Sequence, residues 1–240
     1  MSYTLSGTWK GTFAQAGSGI HLVLDTRPTP GQLLIAIFYS ELPNPTVPSD
    51  DMADGGTWVR AVSYPVSGGN QYTLLCYKIM GSAGGAGKTV NASTGAYPVT
   101  FFVGVYDTTG PDYAMPPIVQ SITTSSGGVG QGSSPGQLLI QAPGLNAIAI
   151  EMAAGNTFYG VPASGTGYTT QSTVFGTAPN YDGTVTTIAD RTDNPGQPSY
   201  DFQWFLPGDY RTQLLGFILS RKSQPPNGAL FSYMQNQGTI

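Results

Sequence analysis

Between Thr57 and Met80 the chain shows its clearest alternation of large and small positions, and that stretch sets the expectation for the rest. Trp58, Arg60, Val62 and Tyr64 alternate with Val59, Ala61 and Ser63, the period of a strand with two unlike faces. Ser67-Gly68-Gly69-Asn70 supplies residues that tolerate positive φ and predicts a tight turn. The return segment, Tyr72 to Met80, is apolar for most of its length, as a strand covered on both faces would be. A hairpin cannot hide that much apolar surface alone, so a second sheet is required. Ile20–Leu24, Gln32–Tyr39, Thr89–Ser93 and Val99–Tyr106 read as further strands, the second and last of them buried. Pro43, Pro45 and Pro48 predict a long exposed loop from Glu41 to Gly56. Residues 3–19, anchored by Trp9 and Phe13, read as a strand or an arm.

The second half repeats the plan. The hexamer Pro-Gly-Gln-Leu-Leu-Ile occurs at 30–35 and at 135–140, but matching it misaligns the elements that follow. Element order instead sets Ile20–Leu24 against Leu138–Gln141 and Leu33–Tyr39 against Ala147–Met152. It likewise sets Trp58–Ala61 against Tyr168–Gln171 and Phe101–Tyr106 against Leu214–Leu219. The expected fold is all-β: two tandem antiparallel β-sandwich units, jelly-roll-like and of similar plan, over 20–122 and 137–220. A lead-in or arm over 1–19, a small-residue linker over 123–136 and a C-terminal tail over 221–240 complete the division. A rival reading is one extended jelly roll with both halves in a common core.

Composition sharpens this. Of 240 residues only 9% are charged, and 33 Gly with 19 Pro disfavour helices and demand turns. Polarity comes from Thr, Ser, Asn and Gln, groups that cost less to desolvate against a neighbour than ions do. A net charge of −4 with scattered Lys and Arg offers no field for a phosphate backbone, so nucleic acid is not an expected partner. No run approaches the roughly 20 apolar residues of a membrane span and no signal peptide is read, so synthesis in a cytoplasm is expected. The single cysteine, Cys76, reads as a packing thiol among Leu74, Leu75, Tyr77 and Ile79.

Motifs with a chemical look fail on their context. Gly81 to Lys88-Thr89 has one residue too many for a phosphate loop and no helix after it. Gly132-Ser-Ser134-Pro-Gly136 has the spelling of a nucleophile elbow without the helix or a partner base, since His21 is the only histidine and sits in a strand. Asp50, Asp51 and Asp54 read as solvated turn formers, with calcium ligation as the minor alternative. Asp190 and Asp193 form a second pair, and Glu151 stands between Ile150 and Met152 with no second acid beside it by spacing. No cofactor and no enzymatic activity are expected.

The Trp58–Tyr64 strand, the Leu74–Ile79 return with its Tyr77-Lys78 pair, the glycine-rich connection and the Val99–Tyr106 strand together resemble the jelly-roll or sandwich modules of tailed-bacteriophage virion proteins. Those are minor tail, spike and decoration proteins. The resemblance covers 20–107 best and 137–220 more loosely, and it brings no catalytic residue. It implies a non-enzymatic virion component that forms homo-oligomers and contacts other virion proteins. Leu42 and Val47 in the loop and Leu230, Phe231, Tyr233 and Met234 in the tail are the expected assembly contacts. The alternative is a carbohydrate-binding module that meets a host surface glycan, with Trp9, Tyr159, Tyr168, Tyr181 and Trp204 as candidate ring platforms.

Overall fold

A computed structural model of the chain describes residues 2–15, 17–40, 46–65, 72–93, 98–109, 117–128, 133–139, 145–156, 163–176, 184–194, 196–205 and 210–222. Their regular structure is antiparallel β throughout, with no helix among them. The first half contains β1 (Ser2–Leu5), β2 (Lys10–Ala14), β3 (Gly19–Val23), β4 (Leu33–Ser40), β5 (Ser49–Asp50), β6 (Val59–Pro65), β7 (Tyr72–Ile79), β8 (Thr89–Ser93) and β9 (Val99–Thr109). The second contains β10 (Ile118–Gly128), β11 (Ser133–Leu139), β12 (Leu145–Asn156), β13 (Ala163–Ser164), β14 (Thr169–Phe175), β15 (Thr184–Asp193), β16 (Ser199–Phe205) and β17 (Tyr210–Lys222).

Each half forms two sheets. In the first, an inner sheet runs β1-β9-β4-β7-β6, with β2 also on β9, and an outer sheet runs β3-β8-β5. In the second, the inner sheet runs β10-β17-β12-β15-β14 and the outer β11-β16-β13. β1 and β2 lie end to end along β9, as one strand interrupted at Ser6–Trp9. Counted that way, both halves pair first strand with eighth, second with seventh and third with sixth. That nested pairing is the strand order of a jelly roll.

The duplication reaches single residues. A bulge between Arg60 and Val62 opposes Cys76 and Leu75 in the first half, and a bulge between Thr170 and Ser172 opposes Ala189 and Ile188 in the second. Shared registers carry the match across each inner sheet. Leu33, Ile35 and Ile37 stand where Ile148, Ile150 and Met152 stand, and Phe102 and Tyr106 where Leu215 and Leu219 stand.

Those residues meet. The largest core joins Leu33, Ile35, Ile37, Leu75, Phe102 and Tyr106 to Ile148, Ile150, Met152, Ile188, Phe217 and Leu219, so the two inner sheets pack face to face. Leu34, Ala36, Phe38, Cys76 and Phe101 turn the other way, onto Ile20, Leu22 and Val90 of the first outer sheet. Ala147, Ala149, Ala153 and Ala189 do the same in the second half, beneath Tyr200, Phe202 and Trp204. The result is a stack of four layers with cores between them, in which the inner strands are covered on both faces. That burial explains why β4, β7 and β12 are almost continuously apolar.

Several expected boundaries change. Residues 1–19 are not an arm, because β1 and β2 complete the first inner sheet. Residues 123–136 are not a linker: Thr123–Gly128 continues β10 and Ser133–Gly136 opens β11. The break between halves falls ahead of Ile118, so 118–122 belongs to the second unit. The alternation read through Thr57–Tyr64 is broken by the bulge, which lets both Ala61 and Val62 pack on the central core. The turn at Ser67–Asn70 lies outside the described residues.

Candidate functional site

Among the described residues, and apart from Glu151 on β12, buried charge collects in two places. In the first, Lys78 on β7 is nearly inaccessible and its ammonium lies 2.7 Å from Asp50 Oδ2 and 2.5 Å from Asp54 Oδ1. Trp58 Nε1 donates to Asp50 Oδ2 at 2.6 Å, and the Gly81 amide donates to Asp54 Oδ2 at 2.6 Å. Burial raises the Asp54 pKa, but the hydrogen bonds from Lys78 and Gly81 together with the Lys78 charge outweigh it and leave it lowered. Asp51 accepts from the Thr89 amide at 2.7 Å. Asp50 and Asp54 are therefore committed to the Lys78 cation, and Asp51 to the Thr89 amide. Nor is the segment before β6 an open loop: Ser49–Asp50 pairs with β8, and Met52 and Asp54 are buried.

The same packing accounts for the glycines. A Cβ on Gly81, Gly85 or Gly87 would stand 2.1 Å from the backbone oxygen of Asp54, Met52 or Asp51 respectively. At these three positions the run lies flush against the aspartate segment, where only glycine fits, and Lys88 Nζ donates to the Asp25 carbonyl at 3.1 Å.

The second place spans the two jelly rolls. Trp9 Nε1 donates to the Tyr106 hydroxyl at 3.0 Å, and Tyr106 donates to Asp190 Oδ2. Gln171 Nε2 donates to Asp190 Oδ1 at 2.7 Å. Asp190, on β15, is 4% exposed. Burial raises its pKa against the lowering effect of the bonds from Tyr106, Gln171 and Trp9, and burial beside that carboxylate raises the Tyr106 pKa in turn. Asn194 ties β1 to the end of β15, accepting from Tyr3 N and donating to Tyr3 O, both at 2.9 Å.

Above this network opens a cleft of about 480 Å3, lined by Leu5 of β1 and by Gly167, Thr169, Gln171, Asp190, Arg191 and Thr192. Arg191 is held by Asp193, Nε to Oδ2 at 2.7 Å, and lies 5.9 Å over the Tyr200 ring. The chemistry on offer is hydrogen bonding by a carboxyl, an amide and two hydroxyls. Among the described residues no group of three or more His, Cys, Asp and Glu is placed to hold a metal ion.

The candidate rings fall elsewhere. Trp9 and Trp204 are 3% and 0% exposed, so they are core residues with no free face for a sugar. Tyr168 is half-buried, its ring 5.9 Å from Phe202 and its hydroxyl covered, so it too is packing. Tyr159 and Tyr181 lie outside the described residues, as do Leu42, Leu230, Phe231, Tyr233 and Met234. Val47 is exposed at 37%. Ser134 sits in β11. His21 Nδ1 lies 2.7 Å from Asn91 Oδ1 across the β3–β8 pair. Glu151 is fully buried in β12 and accepts from the Gly165 amide at 3.1 Å. Cys76 is buried and free, its thiol pushed up to about 12 by burial, which the Arg60 charge only partly opposes. Asp190 had been visible in the sequence only as one of two acids. Its partners Tyr106 and Gln171 carry no sequence signal, because they come from different strands.

No protein-family model, curated protein or solved structure matches the chain. Among the described residues no helix is long and apolar enough to cross a membrane.

Proposed function

We propose that the chain is a non-enzymatic structural component of a bacteriophage particle, a minor tail, spike or decoration protein that contacts further copies of itself and other virion proteins. The observation that carries this reading is the packing of one jelly roll on the other through their inner sheets. A module that buries its widest sheet against a near copy of itself already makes, within one chain, the kind of contact from which repeated assemblies are built. The scarcity of ions supports it, because a surface polar through Thr, Ser, Asn and Gln is cheap to desolvate. Val47, exposed ahead of β5, is one contact available to a neighbour. Sedimentation of the purified chain over a concentration series, with co-sedimentation on particles, tests the proposal. Oligomers and particle-bound protein are expected. A chain that stays monomeric at high concentration and remains in the supernatant overturns it.

A further inference from the structure

We infer that the cleft between β1, β14 and β15 binds a small neutral polyol of the saccharide class, through hydrogen bonds to Asp190, Gln171, Thr169 and Thr192 beside the apolar wall of Leu5. The inference goes beyond the assembly reading and stands without it.

Its basis is a comparison within the molecule. The first jelly roll has a cleft of about 470 Å3 at the corresponding place, lined among others by Thr57, Val59, Tyr77 and Ile79. Carried through the shared bulge and register, these are the positions of Gly167, Thr169, Asp190 and Thr192. One cleft keeps an apolar valine, tyrosine and isoleucine where its counterpart carries a threonine, an aspartate and a threonine. Nothing in the strand order demands the change, since the first half makes the same architecture without it.

The change is also costly. An aspartate 4% exposed loses most of its hydration, and it is held by donors recruited for it. Tyr106 comes from the other jelly roll, and its counterpart Leu219 has no hydroxyl to offer the first cleft. Trp9, which supports Tyr106, lies in the interruption between β1 and β2 that the continuous β10 lacks. A polar network assembled at one of two equivalent sites, against the fold's own apolar solution, marks a site kept for a ligand.

The groups choose the ligand. Tyr106 donates to one carboxylate oxygen of Asp190 and Gln171 to the other, and a carboxylate oxygen can accept more than one hydrogen bond, while the Gln171 amide retains a carbonyl oxygen and a further N–H. With the threonine hydroxyls they present donors and acceptors together, which suits hydroxyl groups that are both. Arg191 is already paired with Asp193, so among its described lining residues the cleft has no uncommitted cation for a phosphate or carboxylate. The volume matches a mono- or disaccharide.

Isothermal titration calorimetry of the full chain with methyl glucoside, methyl galactoside, N-acetylglucosamine, lactose and inorganic phosphate tests this. At least one sugar is expected to bind saturably and phosphate not to. The T169V/T192I variant copies the first cleft; it should unfold at or above the wild-type temperature and bind that sugar about tenfold more weakly or worse. Gln171→Ala should weaken binding in the same direction, and it serves alone should the double variant fail to fold. Absence of binding to all four sugars overturns the proposal. So does preference for phosphate, or undiminished sugar binding in both variants.

Discussion

In the first jelly roll the inner sheet fills its outer core with Leu34, Phe38, Leu74 and Phe101, and the outer sheet answers with Ile20, Leu22 and Val90. In the second, the same face of the inner sheet carries Ala147, Ala149, Ala153 and Ala189, and the outer sheet brings Tyr200, Phe202 and Trp204. Volume has moved from one layer to the facing one while the strand order stayed. A packed interior constrains the summed volume between sheets far more than it constrains which sheet supplies it. Two halves can therefore share a topology and little sequence.

Charge shows a sharper contrast at one strand position. Lys78 and Arg191 are register equivalents, but Lys78 is sealed in with two aspartates while Arg191 is about one-third exposed beside one. Lys78→Met should destabilise by about 3–5 kcal/mol, because it strands buried carboxylates without their cation. Arg191→Met should cost under about 1 kcal/mol, since solvent screens that pair. Denaturant unfolding of both variants measures the gap, and equal costs would break the comparison.

A smaller effect separates the cores. A Cβ on Gly104 would meet the Trp9 ring at 2.4 Å, and one on Gly216 would meet the Phe202 ring at 2.4 Å. Gly104→Ala and Gly216→Ala should each cost about 1–3 kcal/mol by overpacking. Trp9 belongs to the central core and Phe202 to the outer core of the second half, so the two costs should add in the double variant to within about 0.5 kcal/mol. Thermal unfolding of the three variants checks this, and strong non-additivity would mean that the layers do not pack independently.

Of similar size is the asymmetry at Tyr106 and Leu219. Tyr106→Phe removes a donor from a buried carboxylate and should cost about 1–3 kcal/mol at neutral pH. Asp190 has a raised folded pKa, so its favourable contribution is complete below the unfolded value of 3.8 and is lost as pH rises through the folded value. The Tyr106→Phe penalty should accordingly shrink on acidification, read from unfolding curves at pH 7 and pH 4. A penalty independent of pH would separate Tyr106 from Asp190.

A further test lies at the acid end of the Lys78 cluster. The lowered pKa of Asp54 contributes stability present above 3.8 and lost as pH falls through the folded value. Asp54→Asn should flatten that acid limb of the stability profile. An unchanged limb would assign the acid sensitivity to other carboxylates.

Much of the fold was legible because strand period and element order are local properties. The four segment pairs aligned by order of elements fall in β3 and β11, β4 and β12, β6 and β14, and β9 and β17, apart from positions at segment ends. The repeated Pro-Gly-Gln-Leu-Leu-Ile is an instructive failure of local likeness: one copy enters the inner strand β4, the other runs in the outer strand β11. The linker reading fails, and the choice between strand and arm over 3–19 stays open in the sequence, because Gly-, Ser- and Thr-rich strands lack an apolar period, and β1, β2 and β10 become strands by pairing with β9 and β17.

The order and apolar period of its segments let the chain by itself determine an all-β duplicated plan, with inner strands covered on both faces. What covers them was decided only by tertiary structure, since a residue such as Ile35 reports that it avoids water and nothing about which sheet relieves it. The central contact between jelly rolls, the Lys78 cluster and the Trp9–Tyr106–Asp190–Gln171 network all join residues far apart in the chain. Hydrogen bonds and ion pairs act over a few ångströms, and only folding brings such partners within that range.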